Sequence, residues 1–321
     1  MKSLVGLLPF LIPSLILAQD GKLPIIDMHI HSINSIWRNE EGYPQARLCF
    51  PEPCEKTPAS VIHDEDILKF TIDAMKKYHI VKGVISWYGL ENVSKWKSAA
   101  PDRFINGLAY GPPLSTDATI GDGPLYLSID KIRTELQKGN LKIIGEITSQ
   151  YFNYAADDTS LDPVFSLAEE FDVPVHIHCA GLGGDPGFPI TKGNPLGISE
   201  VLRKHPKLRI YLENAGWPFL QEITSLMYVY PNVYADLSTI TWIIPRNTFH
   251  NYLKGLIDAG LEKRLMFGSD AMIWPEVIGL AIDGIDSAPF LTPAQKRDIF
   301  YHNAARFLRL SKEEIAEHHK N

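Results

Sequence analysis

"PIIDMHIHS" occupies residues 24–32 and sets the reading of the whole chain. Ile25, Ile26, Met28 and Ile30 make an apolar run, and His29 and His31 sit on either side of Ile30. In an extended strand residues i and i+2 point to one face, so the two imidazoles aim at one spot. Apolar residues on both faces suit a strand covered on both sides, as in a parallel sheet. The test is whether the same pattern, an apolar strand ending in polar chemistry, recurs along the chain.

It recurs seven more times: "VKGVISW" (81–87), "RFINGLAY" (103–110), "LKIIGEI" (141–147), "VPVHIH" (173–178), "LRIYLEN" (208–214), "NVYADL" (232–237) and "RLMFGSD" (264–270). Between them lie helical patterns. Residues 64–79 place Ile67, Leu68, Ile72, Met75 and Tyr78 at helical spacing, with acids leading and lysines trailing. Residues 162–171, 197–205, 218–230, 246–260 and 293–310 continue the alternation. Eight strand–helix units without an internal linker predict a single-domain (β/α)8 TIM barrel over residues 19–321. A doubly wound open sheet is the alternative, but no Gly-rich phosphate turn follows the first strand.

The chain has 321 residues and a net charge of −7, with no basic run, which excludes a nucleic-acid surface. Residues 1–18, "MKSLVGLLPFLIPSLILA", read as a signal peptide: Lys2, a short apolar core broken by prolines, then the small Ala18. The expected product is exported, periplasmic or secreted, and free of the membrane once the leader is removed. Export makes a disulfide between Cys49 and Cys54 plausible, with two free thiols as the alternative, and leaves Cys179 as a small packed residue. The sequence leaves a homo-oligomer open.

In a (β/α)8 barrel the strand C-termini form the active face. Strand one ends in His29 and His31, strand four near Glu146, strand five in His176 and His178, strand six in Glu213 and Asn214, strand eight in Asp270. Imidazoles and carboxylates from separate strands can converge on one divalent ion, and zinc favours this N/O set.

The pieces "DMHIH", "GEI", "PVHIH", "FGSD" and "NAARFLRL" together resemble the amidohydrolase superfamily, in the amidohydrolase-related branch that also contains decarboxylases and lactonases. The resemblance implies that His29, His31 and His178 ligate metal. It implies that Asp270 touches the ion and takes a proton from the attacking water, and that Glu146 occupies the place of a bridging carboxylate. His176, Glu213 and Asn214 are expected to support the ligands from behind. Where the family often has histidine after strand six this chain reads "ENAGWP", which favours one ion over two. Trp217, Trp242 and Arg246 follow strand ends and are candidate contacts for a small-molecule substrate. The expected activity is hydrolysis of an ester, lactone or amide. A metal-dependent decarboxylase or other lyase is the alternative, and an exported metal-containing binding protein without activity is a third reading.

Overall fold

The apolar run of the opening stretch becomes strand β1, Ile25–His31, buried at every position. This computed structural model describes residues 23–38, 49–51, 63–112, 119–120, 123–124, 126–183 and 187–320. Seven further strands follow: β2 Ile80–Ser86, β3 Phe104–Tyr110, β4 Ile143–Ile147, β5 Val175–Ile177, β6 Ile210–Leu212, β7 Val233–Asp236 and β8 Leu265–Met266. They hydrogen-bond in chain order, each pair parallel. Residues beyond β8 complete the ring against β1: Met28 N donates to Phe267 O, Asp270 N to His29 O and His31 N to Ala271 O, each at 2.9 Å. The chain is therefore a single-domain (β/α)8 TIM barrel, as the alternation predicts. The proposed boundary at residue 19 and the leader lie outside the described residues.

Helices α1 Asp64–Lys77, α2 Glu91–Ala99, α3 Ile129–Gln137, α4 Asp162–Glu170, α5 Ile198–Lys204, α6 Leu220–Val229, α7 Arg246–Asp258 and α8 Val277–Asp286 lie between and after the strands. Helix α1 shows why the pattern works. Asp64, Glu65 and Asp66 lead, Lys76 and Lys77 close, and Ile67, Thr71 and Met75 are buried on one stripe. The last helical pattern, expected as one run, is instead Pro293–Arg297, a π-turn at Asp298–His302 and Asn303–Phe307. A further helix, Lys312–His318, begins at a Ser311–Glu314 capping box. His318 is buried and its Nδ1 meets the Tyr301 hydroxyl at 2.8 Å.

One core cluster of Ile26, Met28, Val84, Ile143, Tyr211 and Met266 continues into Tyr301, Ala304 and Phe307 of the C-terminal segment. Cys179 is free and buried, as expected of a small packed residue. Cys49 is disulfide-bonded, and Cys54 lies outside the described residues. No helix among the described residues is long and apolar enough to cross a membrane.

Candidate active site

The period-two reading of β1 holds at the atomic level: His29 Nε2 and His31 Nε2 lie 3.1 Å apart. Asp270 Oδ1 comes within 2.9 Å of His31 Nε2 and 3.6 Å of His29 Nε2. Glu146 Oε2 stands 3.6 Å from both imidazole nitrogens. The two imidazole nitrogens thus lie at 2.9–3.6 Å from each other, from Asp270 Oδ1 and from Glu146 Oε2. Ligands about 2.1 Å from a tetrahedral zinc are separated by roughly 3.4 Å, so this spacing fits a small divalent cation. Asp270 Oδ1 is out of solvent and accepts no hydrogen bond, as an oxygen reserved for an ion would be.

Each donor is held from behind. His29 Nδ1 meets Ser238 Oγ at 3.1 Å, and Ser238 in turn donates to Asp236 Oδ1. That chain turns Nε2 of His29 toward the site. The Thr239 hydroxyl donates to Asp270 Oδ2, leaving Oδ1 facing the imidazoles. Asp27 Oδ1 accepts from the backbone N–H of His29 at 3.1 Å and of Ser269 at 3.0 Å, tying the two flanking segments together. Strand seven supplies Asp236 and, just beyond it, Ser238 and Thr239. Sequence reading assigned no chemistry to that end, although its position on the active face was a usable signal.

Gly145 decides where Glu146 goes. Its φ is +140°, and a Cβ there would lie 2.3 Å from the His176 carbonyl oxygen. Only glycine allows this close approach, which turns the next side chain into the mouth.

His178 stands with Glu146 and Glu213 in a second possible ligand group, beside the trio of His29, His31 and Asp270. Its Nδ1 lies 2.9 Å from Glu146 Oε1 and 2.7 Å from Glu213 Oε2, and its Nε2 lies 2.9 Å from the Leu182 carbonyl. The loop after β5 presents that carbonyl and so turns the ring. His178 Nδ1 and the two carboxylate oxygens, at a spacing like that of His31 Nε2 and Asp270 Oδ1, form a group that could also hold a metal ion. Burial opposes a charge on His178, but Glu213 and Glu146 outweigh it and hold the imidazole well above its ordinary range. The two glutamates split. Burial and the adjacent Glu146 charge push Glu213 well up. Glu146 is itself disfavoured by burial, yet hydrogen bonds from Glu213, His178 and His29 keep it well below the carboxylate range.

The supporting residues lie where expected, with different partners. The His176 ring stacks on Tyr211 at 4.1 Å and meets His29 edge-on at 4.5 Å. Its Nε2 is 3.1 Å from Asp236 Oδ2, but the alignment is poor and neither atom is hydrogen-bonded. Asn214 donates to Glu213 Oε1 at 2.8 Å and accepts from Ile240 N at 3.2 Å.

A cavity of about 470 Å³ opens over these groups. Trp37, Phe50, Trp87, Tyr88, Tyr151 and Phe152 form its aromatic wall, with His31, Glu146, His178, Glu213 and Asp270 at its base. No lysine or arginine lines it among the described residues. The three proposed substrate contacts are not among the described residues that line this cavity. Trp217 and Trp242 do not line the cavity; Trp242 is buried and donates to Ser269 O at 2.9 Å. Arg246 starts α7 and pairs with Asp283 at 3.0 Å. Each follows a strand end in sequence, yet none stands in the lining of this cavity.

The fold and the donor set define a (β/α)8 barrel whose strand ends gather ligands for a divalent metal. The chain belongs to the amidohydrolase family, whose profile matches residues 26–310. Among curated proteins, Protein fluG of Emericella nidulans is 24% identical over 155 residues, covering 44% of this chain and 18% of its own length. The chain thus spans less than a fifth of that relative. An uncharacterized TIM-barrel protein from Bordetella bronchiseptica shares the fold at TM-score 0.60 and 19% identity, over 89% of this chain and 99% of its own. A probable 2-pyrone-4,6-dicarboxylic acid hydrolase from Acinetobacter baumannii does so at TM-score 0.59 and 13% identity, over 89% and 99%. Aromatic-acid decarboxylases also share the fold, one from Polaromonas with bound manganese.

Proposed function

We propose that the protein is an exported metal-dependent hydrolase that opens an ester, lactone or amide bond in a small molecule bearing an aromatic or apolar group. The observation that carries this reading is the set of four donor atoms, His29 Nε2, His31 Nε2, Glu146 Oε2 and Asp270 Oδ1, at the base of an aromatic cavity. One zinc ion is favoured, because Asn214 stands where the family often has a histidine after strand six. When bound, the ion supplies Lewis acidity and a water of pKa about 7. Asp270, with Oδ2 held by Thr239, takes the proton from that water and passes it to the leaving group. His178 lines the cavity between Glu146 and Glu213, beside the ligand group. The aromatic wall excludes water and positions an apolar acyl or alcohol portion.

The test is metal analysis of purified protein together with turnover on a panel of esters, lactones and aromatic acids. We expect stoichiometric zinc and hydrolysis that falls about 10²- to 10⁴-fold in Asp270→Asn. Carbon dioxide release from an aromatic acid would make the protein a decarboxylase. Bound metal with no turnover would leave a binding protein. His178→Gln separates the ligand sets: it should keep its metal and lose activity, whereas loss of the ion would place His178 in the first coordination sphere. N-terminal sequencing of the mature protein checks export, with a start near residue 19 expected from the leader.

A further inference from the structure

The floor of the barrel, at the opposite end from the metal ligands, holds an open cavity of about 500 Å³. Its walls come from the N-terminal ends of the strands. Lys82 lies near the start of β2, Lys142 just before β4, and Asp172 and Arg209 before β5 and β6. Lys97 reaches it from α2, and Arg309 from the C-terminal segment. Five cations thus face two acids in a chain of net charge −7. Both acids are already engaged. Asp172 lies 3.3 Å from Arg209 Nε and also pairs with Arg309. Glu314 accepts from the Ser311 N–H at 2.8 Å in its capping box.

The lysines are held by neutral carbonyls: Lys82 donates to Asp102 O at 2.7 Å, and Lys97 donates to the carbonyls of Pro101 and Phe104. Burial and then the neighbouring charge of Lys82 push the Lys97 ammonium below its ordinary range. Like charges gathered in a half-enclosed pocket repel unless an anion joins them. Asn106, also in the wall, donates its amide to Asn140 O at 3.1 Å, while its Oδ1 is out of solvent and accepts nothing.

We propose that the floor cavity binds a phosphate-class oxyanion, either inorganic phosphate or a phosphomonoester. Lys82, Lys97 and Lys142 meet its charged oxygens as point charges. The site is independent of the chemistry at the other end of the barrel.

Calorimetric titration of the full-length, metal-loaded protein with inorganic phosphate and with glycerol phosphate, at constant ionic strength, tests it. We expect saturable binding, and the tighter of the two probes names the source. Lys97→Gln and Lys142→Gln should each weaken binding about tenfold, or about 1.4 kcal/mol, with hydrolytic activity unchanged. Asp270→Asn should bind the anion as the parent does. Three results would overturn the proposal. One is the absence of saturable heat with either probe. Another is binding that survives both lysine substitutions but is lost in Asp270→Asn, which would put the anion on the metal. The third is tighter binding of citrate than of either phosphate.

Discussion

Ser238 shows how much of the site rests on residues that touch no ion. Its hydroxyl stands between His29 Nδ1 and Asp236, and the pair fixes which nitrogen of His29 faces the mouth. Partners behind a ligating imidazole commonly set metal affinity by about 10- to 100-fold. Ser238→Ala is therefore expected to weaken the ion by about that factor in a competitive chelator titration, with an unchanged circular dichroism spectrum. An affinity equal to the parent's would remove Ser238 from the ligand's support. At this scale the sequence was legible where spacing alone decides direction, as for His29 and His31. It was not legible for Ser238 or Thr239, because nothing in "ADLSTI" tells which histidine or carboxylate each hydroxyl will meet across the barrel.

Within single elements, strand four is the most constrained. Gly145 passes so close to the His176 carbonyl that a methyl group has no room, and the φ of +140° is strained for any other residue. Gly145→Ala should lower the melting temperature and also release Glu146 from the mouth. Thermal denaturation and metal content would then fall together, whereas a melting loss with full metal content would show that Glu146 is positioned by something else. Helix α1 was readable from its charge order and apolar stripe, because those depend on neighbours three and four residues away. Trp217, Trp242 and Arg246 were not, because a residue just past a strand end can turn into the mouth or away from it. Arg246 pairs with Asp283 on α8, a partner 37 positions along the chain.

At the scale of the whole molecule, barrel closure and site assembly are one event. Asp27 Oδ1 accepts the backbone N–H groups of both His29 and Ser269, where the last strand region meets the first. Asp27→Ala would leave two buried donors unpaired, at about 1–3 kcal/mol each. Urea denaturation should show a loss in that range, with Asp27→Asn milder because its amide oxygen can still accept. An Asp27→Ala protein as stable as the parent would contradict the closure role. Removing the ion with a chelator should lower the melting temperature as well, since a ligand that binds only the folded state stabilises it by mass action. The sequence by itself determined the barrel, because alternating strand and helix periods are local properties that leave few ways to bury both faces of eight parallel strands. It also determined that His29 and His31 share a face and that the polar groups stand at strand ends. Only the tertiary structure decided that Glu146 stands with them while His178 turns to Glu213 and the Leu182 carbonyl. That choice depends on how the loop after β5 packs and on the close approach at Gly145, contacts between segments far apart in sequence that no local spacing encodes.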